Sequence, residues 1–286
     1  MNKKTFNLLK ISLLVGSVFI SGCSKREKGA GSMVTIKGSD TMVHLVSSWA
    51  EDFMNLNPEM EISVTGGGSG TGIAAMLNNT TDIAASSRSI KSKESKLAES
   101  KGINLIRTVV AKDGIAVVVN SSNEIVSLSL GQLRSIFTGA VTNWKEVGGA
   151  DGEIVILSRE SNSGTYVFFQ KLVLKKDDYA TDALLMPSSS SLTQTVNDNA
   201  NAIGYVGLGF ADHAGENVRT LSIETPNGRV APSEETVKSG EYPIARPLLF
   251  YVNGEATGNV KAFIDYCLSA EGQKIVSEIG YVPIVE

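Results

Sequence analysis

The chain is poor in the residues on which most metal and redox sites depend. Its 286 residues include two cysteines and two histidines. His44 and His213 stand apart from any cysteine or acidic cluster with metal-ligand spacing, so we interpret both as surface residues and expect neither a metal nor another cofactor. Cys267 falls on the apolar stripe of an amphipathic helix predicted near the C-terminus, which favours a buried and unreactive thiol.

An excess of positive charge is also missing. Lysine and arginine number 26 against 30 aspartates and glutamates, a formal net charge of −4. A protein without a positive field over its whole surface is not expected to bind nucleic acid or to adhere to phospholipid headgroups. If the protein binds an anion, local groups must therefore bind it.

Long apolar runs are absent from the sequence except near the N-terminus. The run at residues 8–20 is too short to cross a bilayer as a stable helix, but it has the length of a signal-peptide core. Basic residues precede or interrupt it, namely Lys3, Lys4 and Lys10. Charge, length and position together indicate an exported protein.

The apolar run ends in Ile20-Ser21-Gly22-Cys23, which resembles the bacterial lipobox, where the preceding peptide is removed and the new N-terminal cysteine carries lipid. We therefore predict a signal peptide over residues 1–22, a lipid anchor on Cys23 and a flexible tether over 23–33. Removing residues 1–22 takes away three lysines and no acids, so the net charge moves from −4 to −7 (23 basic, 30 acidic). A plain secretory signal, or a short membrane anchor with an incidental cysteine, is the alternative.

From residue 34 onward, short β-branched runs alternate with helical stretches, which predicts parallel sheets with helices on both faces. The first elements are predicted as strands at 34–37, 61–65, 82–85 and 103–110, and helices at 41–55 and 92–100. Two continuous apolar runs, 115–120 and 248–253, are typical of doubly buried strands. We predict that the chain builds lobe 1 from 34–113, leaves to build lobe 2 from 114–246, and returns to lobe 1 with 247–286. The two crossovers would form a hinge beside a cleft.

Four segments share one pattern, a strand followed by a tight turn rich in glycine, serine or threonine and then a helix; they lie at 38–42, 68–72, 86–89 and 159–165. A helix start offers unpaired N–H groups and the positive end of its dipole, so it can hold an anion without a lysine. Arg88 and Arg159, inside two of these turns, can each contact two oxygens of a tetrahedral oxyanion. Ordinary helix capping explains any single turn, but four such turns together favour an oxyanion site.

The known enzyme motifs fit poorly, so we expect a protein that is not an enzyme. Residues 67–71 lack the last glycine of the G-x-S-x-G nucleophile elbow, and no histidine is placed to activate Ser69. No Walker A motif occurs. Residues 70–75 match the weak dinucleotide pattern G-x-G-x-x-A, but the acidic residue required about 20 positions later is represented only by Glu94 among lysines.

These residues resemble the phosphate-binding proteins of the bacterial high-affinity phosphate ABC transporter. The resemblance covers residues 34–286 and rests on the segments GSDTM (38–42), GGGSGTGI (66–73), DIAASSR (82–88), QLRSIFTGAVTNWKEVGG (132–149), RESNSGTYVFF (159–169), AIGYVG (202–207) and ARPLLFYVN (245–253). It implies an α/β protein of the type II periplasmic binding-protein fold, with two lobes joined by two crossover strands and a ligand cleft between them.

The resemblance also implies the ligand and the partners. The ligand is inorganic phosphate, and the lobes dock on the permease subunits of an ABC importer. We expect a monomer, exported and held at the extracytoplasmic face of a bacterial membrane by lipid on Cys23. The alternatives are a binding protein for another tetrahedral oxyanion such as sulfate or molybdate, a phosphate sensor or surface protein on the same scaffold, and a hydrolase that retains its product.

The family's ligand contacts carry over residue by residue. They correspond to Thr41, the N–H of Met42, Ser69, Arg159, Ser163, Gly164 and Thr165. In many family members an aspartate after the third strand accepts the proton that phosphate retains at neutral pH. Here that position is Ser87, followed by Arg88, so this sequence lacks the aspartate found in many family members.

The departure bears on selectivity, because sulfate has no proton at neutral pH and a buried carboxylate rejects it. We expect Asp40 or the Ser87 hydroxyl to accept the phosphate proton instead. Arg88 is expected either to add a charge-assisted donor to the ligand or to pair with an acid outside the cleft. Glu160 is expected to orient Arg159.

Overall fold

The computed structural model describes residues 33–211 and 213–284. The signal peptide predicted at 1–22, the lipid anchor predicted on Cys23 and most of the predicted tether lie outside the described residues. Within those residues, the strands are β1 (Val34–Gly38), β2 (Ile62–Thr65), β3 (Ile83–Ser86), β4 (Leu105–Asn120), β5 (Ser127–Ser129), β6 (Val155–Arg159), β7 (Leu184–Met186), β8 (Ala202–Gly207), β9 (Val218–Thr225), β10 (Gly228–Val230) and β11 (Ala245–Asn253).

Helices follow most of these strands, as the alternation in the sequence predicts. They are α1 (Val43–Leu56), α2 (Ser69–Leu77), α3 (Ser92–Ser100), α4 (Leu130–Phe137), α5 (Gly164–Leu172), α6 (Ser189–Asp198), α7 (Leu208–Ala211), α8 (Glu234–Ser239), α9 (Gly258–Leu268) and α10 (Ala270–Glu278). A 3-10 turn, Asp40–Met42, precedes α1, so the α-helix begins two residues later than the sequence predicts. None of the helices in the described residues is long and apolar enough to cross a membrane.

The strands form one sheet with the order β2-β1-β3-β11-β4-β8-β6-β7, and β9 pairs with β4 off this path. At one end β1 runs parallel to β2 and β3, and at the other β6 runs parallel to β7 and β8. The two middle strands, β4 and β11, are antiparallel to each other. Two parallel regions are therefore joined by an antiparallel pair, and each region presents the carboxyl ends of its strands at one edge.

The sequence predicts two separate strands at 103–110 and 115–120, and this is wrong. The structure has a single strand, β4, because its middle continues to pair with β11: Asp113 lies opposite Arg246, and Gly114 opposite Ala245. A charge followed by a glycine is typical of a turn. Here the strand continues because the aspartate finds a cationic partner on the neighbouring strand.

The buried apolar residues form two main clusters, one at each end of the sheet. The first core surrounds Trp49, Phe250 and Phe263, and the second surrounds Phe137, Phe169 and Tyr205. β4 contributes to both, with Val110 and Ala111 in the first core and with Ile115, Val117 and Val119 in the second. Each fully buried side chain of this size stabilises the fold by about 1.5–3 kcal/mol, so the middle strands are held from both ends.

Three predictions about single residues are confirmed. Cys267 in α9 is free and buried, and burial raises the pKa of its thiol well above the ordinary value. His44 and His213 are both exposed.

Candidate anion-binding site

The turns that follow β1, β2, β3 and β6 bring five hydroxyl groups together. We call Ser39, Thr41, Ser69, Ser87 and Thr165 the hydroxyl cluster; all five are buried. The Oγ1 atoms of Thr41 and Thr165 are 2.9 Å apart although 124 residues separate them in the sequence. Three of the four turns predicted from sequence therefore meet the fourth, which comes from the opposite end of the sheet.

Ser87 lies at the centre of the hydroxyl cluster. Its Oγ accepts a hydrogen bond from Ser39 Oγ at 3.0 Å and lies 3.4 Å from Ser69 Oγ. Its N–H donates to Ser69 Oγ at 3.1 Å. Position 87, where the resemblance implies an aspartate, thus carries a hydroxyl that accepts a hydrogen bond from Ser39 and lies within reach of Ser69.

A glycine lets α5 approach the other turns. A Cβ atom placed on Gly164 would lie 2.3 Å from Ser69 Oγ and 2.5 Å from Ser87 Oγ, closer than any side chain could fit. Ser163, just before it, is the N-cap of α5, and its Oγ accepts from the N–H groups of Thr165 and Tyr166. Ordinary helix capping therefore accounts for the Ser163 oxygen, while Gly164 and Thr165 face the hydroxyl cluster.

Met42 lies at the edge of the hydroxyl cluster with its side chain buried in the first core. Its N–H donates to the carbonyl of Ser39 at 3.0 Å and closes the 3-10 turn. The N–H that the resemblance assigns to the ligand is therefore used within the turn in this structure.

Arg159 is buried at the end of β6, where it makes three hydrogen bonds and an ion pair. It donates to the carbonyls of Met186 and Pro187 at 3.1 and 3.0 Å and to Ser189 Oγ at 2.8 Å. Its Nη2 lies 3.2 Å from Asp40 Oδ2. Burial lowers the pKa of this guanidinium, and the charge of Asp40 opposes that shift.

The acid that orients Arg159 is Asp40, and the expectation that Glu160 does so is wrong. Glu160 is exposed. Asp40 Oδ2 also accepts the N–H of Ser189, the first residue of α6, at 2.8 Å. Asp40 therefore binds a cation and a helix start at once, and both are contributed by residues 114–246.

Arg88 pairs with an acid, the second of the two roles considered for it. Its Nη1 and Nη2 donate to the two carboxylate oxygens of Glu94 at 2.8 and 2.7 Å, and Nη1 also donates to the Ser89 carbonyl. Its contacts are thus with the start of α3, not with the hydroxyl cluster. Glu94, six residues further along the chain, binds the Arg88 side chain, which the sequence predicted to contact the ligand.

Arg246 of β11 was missed by the sequence reasoning, although it contacts the hydroxyl cluster. Its Nη2 donates to Thr165 Oγ1 at 3.1 Å and its Nη1 to the Ser87 carbonyl at 3.2 Å. It forms a buried ion pair with Asp113 of β4, at 2.8 Å. Burial raises the pKa of Asp113, while the charge and hydrogen bonds of Arg246 and the Leu208 N–H oppose that shift. The available signal was a charged residue beside a doubly buried run, because such residues are seldom buried without a partner.

Comparisons with known proteins show the family to which the chain belongs. A family model described as a PBP superfamily domain matches residues 24–271. The phosphate-binding protein PstS of Bacillus subtilis is 37% identical over 93% of this chain and 85% of its own length. A putative phosphate ABC transporter substrate-binding protein from Clostridium perfringens, with bound phosphate, has a TM-score of 0.81 at 32% identity, covering 89% of this chain and all of that one.

An ABC-type phosphate transport receptor from Vibrio cholerae gives a TM-score of 0.70 at 31% identity, over 88% of this chain and 100% of the other. Family model, relatives and solved structures each span most of the chain, and they confirm the type II periplasmic binding-protein fold predicted from the sequence. The chain belongs to the PBP superfamily and, within it, to the family of the PstS phosphate-binding proteins.

Proposed function

We propose that the protein binds inorganic phosphate at the hydroxyl cluster and delivers it to an ABC importer. The observation that carries this proposal is the convergence of Thr41, Ser69, Ser87 and Thr165 on one buried place. Hydroxyls and helix starts donate hydrogen bonds to an oxyanion without requiring a net positive protein surface. The names of the relatives, and the bound phosphate in the Clostridium perfringens structure, support the choice of ligand.

The proposed ligand contacts combine this geometry with the family resemblance. Phosphate oxygens replace the hydroxyl–hydroxyl hydrogen bonds of the cluster and receive bonds from the N–H groups at the starts of α2 and α5. The residues proposed to contact phosphate are Thr41, Met42, Ser69, Ser87, Arg159, Ser163, Gly164 and Thr165. Arg88 is left out of this set because its guanidinium contacts Glu94 and the Ser89 carbonyl at the start of α3, away from the hydroxyl cluster. Met42 and Ser163 would contact phosphate by exchanging their present hydrogen bonds, within the 3-10 turn and the α5 cap, for bonds to the ligand.

The binding movement is a closure of two lobes, 34–113 with 247–286 and 114–246. Contacts that join these ranges support it: Gly70 N–H donates to the Asn162 carbonyl at 2.9 Å, and Asn162 Nδ2 to the Gly67 carbonyl at 3.0 Å. Phosphate stabilises the closed form because it touches both lobes only there, and its differential affinity sets the size of the shift. Closure removes water, so each hydrogen bond to the anion gains strength.

Selectivity over sulfate needs a proton acceptor, and Asp40 is the proposed one. Its carboxylate lies beside Arg159 and the start of α6. Asp40→Asn keeps the shape and removes the charge, so it should weaken the preference for phosphate over sulfate. A competition titration that finds the same preference in both proteins would leave the Ser87 hydroxyl as the acceptor.

Location follows from the N-terminus. Signal-peptide cleavage and lipid on Cys23 would keep a monomer at the extracytoplasmic face of a bacterial membrane, where it can meet the permease subunits. A single acyl chain anchors only weakly, which favours a multiply acylated cysteine. Mass spectrometry of the membrane-extracted protein tests this, since a Cys23→Ala protein should lose the lipid mass and leave the membrane fraction.

Calorimetric titration with phosphate, arsenate and sulfate tests the function. We expect saturable binding of one phosphate per chain, binding of arsenate because it has the same shape and protonation, and much weaker binding of sulfate. Sulfate binding as tight as phosphate binding would favour the general oxyanion alternative. An absence of heat and of any thermal shift with phosphate would overturn the proposal. Turnover of a chromogenic phosphomonoester, lost in Ser69→Ala, would instead support an enzyme.

A further inference from the structure

Arg246 and Asp113 form a buried ion pair on the two middle strands of the sheet, at the point where these strands pass from one core to the other. The residues lie directly opposite each other on β11 and β4, and the exposed fraction of each side chain is 0%. Both Nε and Nη2 of Arg246 donate to Oδ2 of Asp113, at 2.9 and 2.8 Å. Oδ1 accepts the Leu208 N–H at 2.9 Å. The carboxylate, itself fixed by the backbone, therefore holds the guanidinium in one orientation.

The other N–H groups of Arg246 point to the hydroxyl cluster. Nη2 donates to Thr165 Oγ1 at 3.1 Å and approaches Thr41 Oγ1 at 3.5 Å. Nη1 donates to the Ser87 carbonyl at 3.2 Å. One side chain thus contacts three of the four turns that compose the proposed phosphate site.

These contacts determine where the hydroxyl protons of Thr41 and Thr165 can point. A guanidinium donates hydrogen bonds and accepts none, whereas a threonine hydroxyl has one proton and two acceptor positions. Thr41 and Thr165 must therefore face Arg246 with oxygen lone pairs. Only one proton can lie between their Oγ1 atoms, which are 2.9 Å apart. The second proton is available to a third acceptor, and a phosphate oxygen is such an acceptor.

We propose that Arg246, held by Asp113, is a positioning residue of the anion site that orients the paired Thr41 and Thr165 hydroxyls so that one of their protons is donated to phosphate. Arg246 acts by orienting these hydroxyl groups more than by attracting the anion with its charge, because Asp113 neutralises the guanidinium at short range. The inference rests on the proposed binding of phosphate at the hydroxyl cluster. It adds to that site a residue from a strand, outside the four turns.

Calorimetric titration of four proteins with phosphate tests this: the unsubstituted chain, Arg246→Gln, Thr165→Val and the double variant. Each single substitution should weaken phosphate binding about tenfold, the usual effect of losing one good hydrogen bond to a charged group. If Arg246 acts through the Thr165 hydroxyl, the double variant should lose about as much as one single variant, far less than the roughly hundredfold product expected of independent effects.

Two further variants separate positioning from folding. Arg246→Gln leaves the Asp113 carboxylate buried without its cation, so Arg246→Gln with Asp113→Asn provides a version without charge and with the same expected loss of affinity. Glu94→Gln is the matched control, because it removes the carboxylate partner of another buried arginine, Arg88, away from the hydroxyl cluster. It should lower the Tm and leave the phosphate Kd within about twofold.

The outcomes are distinguishable. The inference is overturned, with phosphate binding intact, if a folded Arg246→Gln protein binds phosphate within about twofold of the unsubstituted chain, or if the losses multiply in the double variant. An equal loss in Glu94→Gln would assign the effect to general destabilisation and would overturn it as well. If the unsubstituted protein binds no phosphate, the proposed function and the inference both fail.

Discussion

Two buried arginines of this protein, Arg88 and Arg246, have similar surroundings and opposite relations to the site. Each forms two hydrogen bonds with the carboxylate of one acid, Glu94 for the first and Asp113 for the second. Arg88 lies in a turn that ends at the hydroxyl cluster, yet it contacts the start of α3. Arg246 lies on a strand, yet its remaining N–H groups contact the cluster.

The difference shows that the counter-charge of a buried arginine, more than its position in a turn, determines which groups the arginine contacts. The Glu94 carboxylate is partly exposed and also accepts the Lys91 N–H, so the pair with Arg88 stabilises a helix start. Asp113 is fully buried and opposite Arg246 in the strand register, so that pair is central to the sheet. The four predictions below test this contrast, beginning with the largest effect.

Removing the acid from each pair should lower the free energy of unfolding by unequal amounts. Asp113→Ala leaves a fully buried guanidinium without its counter-charge and should lower the free energy of unfolding by about 3–5 kcal/mol. Glu94 is itself partly exposed, so in Glu94→Ala water can occupy its place beside Arg88, and the free energy of unfolding should fall by only about 1–2 kcal/mol. Urea unfolding at constant m-value measures both. Equal losses would show that the two pairs differ less than their burial indicates.

Close packing is a feature of the cluster around Arg246. Gly164→Ala places a methyl group against Ser69 and Ser87, so it should destabilise the protein by about 1–3 kcal/mol and weaken phosphate binding accordingly. The matched control is Gly131→Ala in α4, where the nearest atom to the new Cβ is Ser129 Oγ at 3.8 Å. That variant should be neutral or stabilising, since alanine favours a helix. Phosphate titrations and thermal melts of both proteins check this, and equal affinities would contradict it.

Replacing both members of the buried pair should separate stability from binding. Asp113→Leu with Arg246→Met removes both charges and fills a similar volume, so it should recover most of the stability lost in Asp113→Ala, to within about 1–2 kcal/mol of the unsubstituted chain. Phosphate affinity should stay low because the donor to Thr165 is gone. A double variant that unfolds as easily as Asp113→Ala would argue that the pair has a specific structural role as well.

The pair at α3 should have a small effect that depends on pH. Burial alone would raise the pKa of Glu94, but hydrogen bonds from Arg88 and the Lys91 N–H, with the charges of both residues, lower it below its ordinary value of 4.5. A carboxyl with a lowered pKa in the folded state stabilises the fold above its unfolded pKa, and loses that effect as the pH falls through the folded pKa.

Thermal melts of the unsubstituted protein and of Glu94→Gln measure this effect between about pH 7 and about pH 3. The difference in Tm should be greatest near neutral pH and should shrink in acid, below about pH 4.5. A difference that grows in acid would contradict the lowered pKa of Glu94.

Much of the fold follows from local patterns. The helix predicted at 92–100 is α3, Ser92–Ser100, because its start, its apolar spacing and its end all lie within nine residues. The turns around Thr41, Ser69, Ser87 and Thr165 were found because small hydroxyl residues at helix starts form a local signal. The single strand β4 was missed, since what keeps Asp113 in a strand is an arginine 133 residues away.

The sequence by itself determined the first strands and helices, the turns that supply hydroxyl groups and the burial of Cys267, because these depend on neighbours within one or two turns of chain. The tertiary structure alone decided which acid each arginine meets: Glu94 for Arg88, Asp40 for Arg159, Asp113 for Arg246. A buried charge must find its counter-charge wherever the fold places one. Two of those three partners come from distant parts of the chain, out of reach of any local pattern.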